Sequence, residues 1–195
     1  MSVMGKHGVS ATTPENILLG AGTIHKNMTW DSTSNAWKGD IIGATSGGNS
    51  VEIKSEIVNI ELDGALANVK GLAVMQGGTA TMEVNFAELS VDVMKIAMIG
   101  EISDSDAEGY SMIQTKANIS EGDYVDNFAF VGKTANDAKD IIVIFESALC
   151  TSGLKIEGKA KENAVIKLTM EAYAQNEGNL DRVPVRIYYP EKQTV

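Results

Sequence analysis

The sequence predicts a mainly β protein: an antiparallel β-sandwich or open barrel with one short packed α-helix and long loops. Three observations lead there. Apolar and polar residues alternate strictly through Thr79 to Ala87 and again through Val165 to Tyr173. Glycine-containing turn pairs separate the apolar runs. Only one segment, Ser90 to Ile99, carries a helical period with caps.

In chain order, Ile17 to His25 is the first expected strand. Lys26 to Ser50 is long, polar and Gly-rich, and reads as a loop. In it Trp30 and Trp37 flank Asp31-Ser32-Thr33-Ser34-Asn35, which argues against plain disorder. Either they pin the loop to its own domain or they meet a neighbouring subunit, where large aromatics concentrate. Val51 to Leu62 changes phase: Val51 and Ile53 alternate with Glu52, Lys54 and Glu56, and then Val58, Ile60 and Leu62 take the parity of the charged set. A bulge near Ile57, or a strand buried on both faces, accounts for this.

Asp63-Gly64, Gly77-Gly78, Glu121-Gly122-Asp123 and Glu177-Gly178-Asn179 are the turn signals. Between Thr79 and Ala87, Met82, Val84 and Phe86 share one face, with Thr81, Glu83 and Asn85 opposite. The helix follows, with Ser90 as N-cap, Asp92 in the first turn and Gly100 as the stop. Phe128 to Val131, Ile141 to Phe145, Leu154 to Glu157, Val165 to Tyr173 and Val183 to Tyr189 are further strands. Pro184 assigns the last of these to an edge or a strand end.

A chain of 195 residues with 44% hydrophobic and 22% charged residues can build one substantial core. A single β-domain is expected over 17–190, with a flexible arm at 1–16 and a tail at 191–195. The net charge of −10 argues against a protein that clamps nucleic-acid phosphates. Cys150 stands alone, which excludes an intrachain disulfide and a multi-cysteine zinc site and fits synthesis in a reducing cytosol. No apolar run is long enough for a transmembrane helix, and 1–16 has no apolar signal region.

Catalytic and cofactor motifs are incomplete. Gly132-Lys133-Thr134 ends like a phosphate loop, but Asn127 stands where its first glycine belongs. Gly20 and Gly22 begin a dinucleotide fingerprint that fails at His25. Asp104, Asp106, Glu108 and Gly109 open like a calcium loop, yet Thr115 replaces the bidentate glutamate. The two histidines, His7 and His25, have no catalytic partner in sequence. Glu52 and Glu56 have the residue type of a glycosidase pair without a supporting motif. The expectation is a non-enzyme with no cofactor and no metal.

The Gly-rich loops are the remaining signal. Gly43-Ala44-Thr45-Ser46-Gly47-Gly48 precedes a strand that ends in Leu62-Asp63-Gly64, and Val69-Lys70-Gly71 follows. Asn16-Ile17-Leu18-Leu19-Gly20-Ala21-Gly22 leads into the first strand, and Thr79 to Leu89 feeds the helix. This order resembles the major tail, or tail-tube, proteins of long non-contractile-tailed bacteriophages, most closely over the first half of the chain. After Gly100 the resemblance is a matching succession of strands.

The resemblance implies a homo-oligomer of six-membered rings stacked into a tube, assembled in the host bacterial cytoplasm and carried in the virion tail. Its partners would be the tape-measure, tail-terminator and distal tail proteins, with no membrane involved. DNA would pass through the bore without specific binding. The inter-subunit candidates are Trp30, Trp37, Gly43, Ala44, Thr45, Gly47, Gly48, Asp63, Gly64, Val69, Lys70 and Gly71. Glu52, Glu56 and Glu83 are candidates for an acidic lumen wall, or else for an outward solvated face. The Trp30–Trp37 insert departs from the family pattern. An alternative is a β-sandwich carbohydrate-binding module using Trp30, Trp37, Tyr188 and Tyr189.

Overall fold

The strands form where residues of period two can bury one face, and they extend further than the sequence pattern alone indicates. A computed structural model describes residues 13, 17–134, 139–157, 164–176 and 178–190. The expected arm (1–16, Thr13 apart), the tail (191–195) and Glu177 of the last turn signal lie outside the described residues.

The described elements are β1 (Leu18–Asp31), β2 (Ala36–Ile41), β3 (Ser50–Asn59), β4 (Ala73–Phe86), α1 (Val91–Met98), β5 (Gly100–Ser103), β6 (Met112–Thr115), β7 (Val125–Thr134), β8 (Asp140–Cys150), β9 (Ile166–Tyr173) and β10 (Val185–Tyr188). An antiparallel sheet runs β2-β1-β7-β8-β9-β4-β3, and β10 joins it on β8. β5 and β6 make a separate hairpin. The sheet curls around one core, in which Phe128, Phe130 and Phe145 meet Met82, Val84, Phe86 and Leu168. The fold is thus a mainly β, antiparallel sandwich or open barrel with one short helix.

The segment 42–49 crosses the open side of the barrel. Asn49 Nδ2 donates to the Ala21 carbonyl at 2.9 Å, Asn85 Nδ2 donates to Gly48 O at 2.6 Å, and Thr45 bridges Phe86. Several polar groups in the interior are answered, while His25 Nδ1 and Ser103 Oγ are buried without a hydrogen-bond partner among the described residues. Lys116 lies 2.5 Å from Asp123, Arg182 pairs with Glu146, and Ser147 donates to Asp126. Burial alone would push the Asp123 carboxyl up, but Lys116 and the two Ser120 donors outweigh it and hold the carboxyl below its usual range.

Several sequence expectations change. Lys26 to Ser50 is largely a hairpin: β1 continues to Asp31 and pairs with β2, with Trp30 opposite Trp37. The turn forms because Asp31 accepts from the Thr33 N–H and the Ser34 hydroxyl, both at 2.8 Å, and Asn35 takes a left-handed φ of 51°. Gly77-Gly78 is no turn; it lies inside β4. The left-handed helix end is Ile99, at φ 51°, and Gly100 begins β5. Leu154 to Glu157 is not a strand. The ladder ends at Cys150 because the Ser152 hydroxyl accepts the Thr169 N–H at 2.9 Å in place of a backbone carbonyl. The hairpin of β5 and β6, absent from the sequence reading, carries Asp104, Asp106 and Glu108 in its loop.

The bulge expected near Ile57 is present, but its extra residue is in the partner strand. Glu56 pairs with Gly77 and Ile57 with Met75, leaving Gln76 unmatched.

Gly22 gives a test of local backbone demand. Its φ is +70°, and an added Cβ would fall on the Phe130 ring, whereas Gly20 at φ +79° faces open space. Gly20→Ala should cost about 1–2 kcal/mol, the left-handed penalty alone. Gly22→Ala should cost about 1–3 kcal/mol more through overpacking. Urea unfolding of both variants checks the difference.

Candidate functional site

Three surfaces stand out. The first is the far half of the β3–β4 hairpin. β4 pairs with β9 only over Thr81–Phe86, and Ala73–Ala80 have β3 alone as a ladder partner among the described residues. This half therefore leaves the sheet as a two-stranded ribbon. Ile57 pairs with Met75 on one face and Val58 with Val74 on the other. Ile57 is 62% exposed and Met75 64%. Every residue from 52 to 71 is exposed, and Leu66 in the tip loop is completely so, at 105%. Asp63 and Gly64 form the turn in that loop, while Val69, Lys70 and Gly71 lead back to β4. Sequence reasoning missed Leu66, Val74 and Met75; the signal was an apolar pair that breaks the alternation just before Gly77.

The second surface is the polar face of β3, β4 and β9. The pairings Ser50–Glu83, Glu52–Thr81 and Glu56–Gly77 place Glu52, Glu56 and Glu83 on one side, away from Met82 and Val84. Glu171 joins them through its pairing with Thr81. Lys54 lies 3.0 Å from Glu52 and Lys167 lies 2.9 Å from Glu83. The face is mixed, with acids in excess.

The third is an aromatic groove. Trp30, Trp37, Tyr188, Tyr189 and Pro190 line an opening of about 790 Å³. Trp37 meets Trp30 edge-on at 5.4 Å and Tyr188 at 4.5 Å between ring centroids. Trp37 also covers Met28, Ala129, Ile142 and Ile144, so it packs on its own domain. Trp30, 49% exposed, is the freer ring. The groove continues past Trp37 toward His25, Ile41 and Lys133.

The Gly43–Gly48 stretch is tied to its own barrel. Ala87 N donates to Ala44 O at 2.8 Å, and Ala44 N donates to Glu88 at 3.1 Å. Gly43 is half-buried, whereas Gly47, at φ +85°, is exposed. Among the described residues no three His, Cys, Asp or Glu side chains converge to hold a metal. No helix there is long and apolar enough to cross a membrane.

No family model and no curated protein matches the chain. Among solved structures it is similar to a chain in the tail of an empty gene transfer agent particle, computed with helical refinement in C6 symmetry. The identity is 14%, over 80% of this chain and 92% of that one, with a TM-score of 0.42. It is also similar to a chain in the virion of a native gene transfer agent particle, at 14% identity over the same shares, with a TM-score of 0.41.

His25 gives the groove a pH dependence. Burial pushes its imidazole below the usual 6.5, against upward pulls from the Gly39 backbone, Asp140 and Asp40. As pH falls, the unfolded chain takes the proton first, so stability is full above about pH 6.5 and declines below it. Denaturation midpoints at pH 8 and pH 5 should therefore differ less for His25→Gln than for the parent.

Proposed function

We propose that this chain is a structural subunit that polymerises into stacked hexameric rings, forming the tail tube of a phage-like particle through which DNA passes into the host cell. The observation that carries this reading is the ribbon. A lone two-stranded hairpin is marginal in water, and this one is apolar on both faces and bare in the single chain. A protein surface of that kind is built to be covered.

The polar face of β3, β4 and β9 supplies the wall of the bore in this reading. A polyanion must slide past it, and a basic wall would bind phosphates through counterion release. Glu52, Glu56, Glu83 and Glu171 against Lys54 and Lys167 give a mixed face with negative excess. The arm at 1–16 and the tail at 191–195 join one ring to the next. Tape-measure, terminator and distal tail proteins close the structure, which assembles in the bacterial cytoplasm.

A second reading, a carbohydrate-binding module, is favoured by the aromatic groove, because sugar rings stack on exposed aromatic faces. Trp30, Trp37, Tyr188 and Tyr189 all line it.

Sedimentation velocity and negative-stain microscopy over rising concentration should show rings or tubes. Monomer alone at the highest concentration, without polymer, would remove the tube reading. Within assembled particles, Glu52→Lys, Glu56→Lys and Glu83→Lys together should leave tubes intact and lower DNA delivery. Normal delivery by that variant would take the three glutamates out of the bore.

A further inference from the structure

The ribbon and the groove complement each other. The tip loop, 60–72, presents Ile60, Leu62, Leu66 and Val69 without cover, each at least 45% exposed. The groove presents Trp30, Ile41, Tyr188 and Tyr189, each at least 39% exposed, beside an opening large enough for a leucine and its neighbours. Charge agrees in sign. The loop carries Glu61 and Asp63 against Lys70. The groove rim carries Lys38, Lys133 and Lys139 against Asp140 and the Asp31 that pairs with Lys38.

We infer that the 60–72 loop of one copy seats in the Trp30–Trp37–Tyr188 groove of a second copy, with Leu66 as the inserted side chain. The inference rests on the self-assembly reading and names the two surfaces that meet within it. Leu66 touches nothing in its own chain, so its own groove does not take it. The loop hangs from edge strand β3 and the groove is built around the opposite edge strand, β2. The contact joins two different patches. Placed on opposite edges of the sheet, the two patches suit a heterologous contact that propagates head to tail into a ring or an open helix. Aromatic anchors in a pocket are the usual seat of such contacts, and the acidic loop adds direction through its charge.

The chain's two tryptophans both line this groove, so its own emission reports occupancy. Emission should shift to the blue as protein concentration rises, in step with polymer measured by sedimentation. Leu66→Asp, at a fully exposed position, should keep the circular dichroism spectrum and melting temperature. It should raise the concentration needed for assembly about tenfold or more and abolish the shift. Mixing Leu66→Cys with Tyr189→Cys under mild oxidant should give a cross-linked dimer that neither variant gives alone; Cys150 is buried. Rings or tubes that form with unshifted emission and no cross-link would overturn this pairing and leave the tube reading standing. Absence of any assembly would overturn both. A shift produced by maltohexaose or cellohexaose, independent of protein concentration, would give the groove to a sugar and overturn the pairing.

Discussion

The burial of β8 on both faces governs the rest of the structure. Nine consecutive residues, Ile142 to Cys150, are buried. Val143, Phe145, Ala148 and Cys150 face the main core, while Ile142 and Ile144 face the second cluster under Trp37. Such a strand needs hydrogen-bonding partners along its whole length, because an unpaired backbone group away from water is costly. One edge is taken by β7 from Asp140 to Ala148. The other is shared end to end: β9 pairs with Ser147–Cys150 and β10 with Ile142–Phe145. β9 therefore stops beside β8 partway along, and β4 loses its neighbour at the same level. The ribbon is the consequence: β4 and β3 go on together with nothing beside them in the sheet.

The delivery of β10 to that edge depends on buried polar contacts. Glu146 is buried and is answered by Arg182, and its backbone N–H donates to Pro184 O at 3.0 Å. Removing one partner of a buried ion pair leaves an unpaired charge and typically costs about 3–5 kcal/mol. Here the pair is partly open, with the Arg182 side chain 41% exposed, so screening lowers that figure. Tyr188 reaches Trp37 only because β10 is held in register, so the aromatic groove inherits its shape from the same constraint.

The two faces of the curled sheet then divide the work. The inner face is continuous hydrocarbon, from Ile24 through Phe130 and Phe145 to Leu168 and Met82. The outer face splits into a polar wall on β3, β4 and β9 and an aromatic patch at β2, β8 and β10. Pairs such as Lys167 with Glu83 lie in water and add little stability.

The strands of simple period were legible in the sequence. Met82, Val84 and Phe86 on one side of β4, and Ile166, Leu168 and Met170 on one side of β9, are buried as the alternation indicates. The Ser90-capped helix and the irregularity at Ile57 were equally local, set by side-chain period and capping chemistry. The β1–β2 hairpin was hidden, because its turn is made by Asp31 side-chain hydrogen bonds and its strands are largely polar. β8 beyond Phe145 was hidden too, since Glu146 and Ser147 read as surface until Arg182 and Asp126 are brought to them from distant segments. That Ile57, Val58, Val74 and Met75 would be bare, and that Trp30, Trp37, Tyr188 and Tyr189 would share one groove, was decided only by tertiary structure. Exposure and convergence depend on which strand lies beside which, and that is set by competition for the edge of β8, a long-range choice that no local pattern encodes.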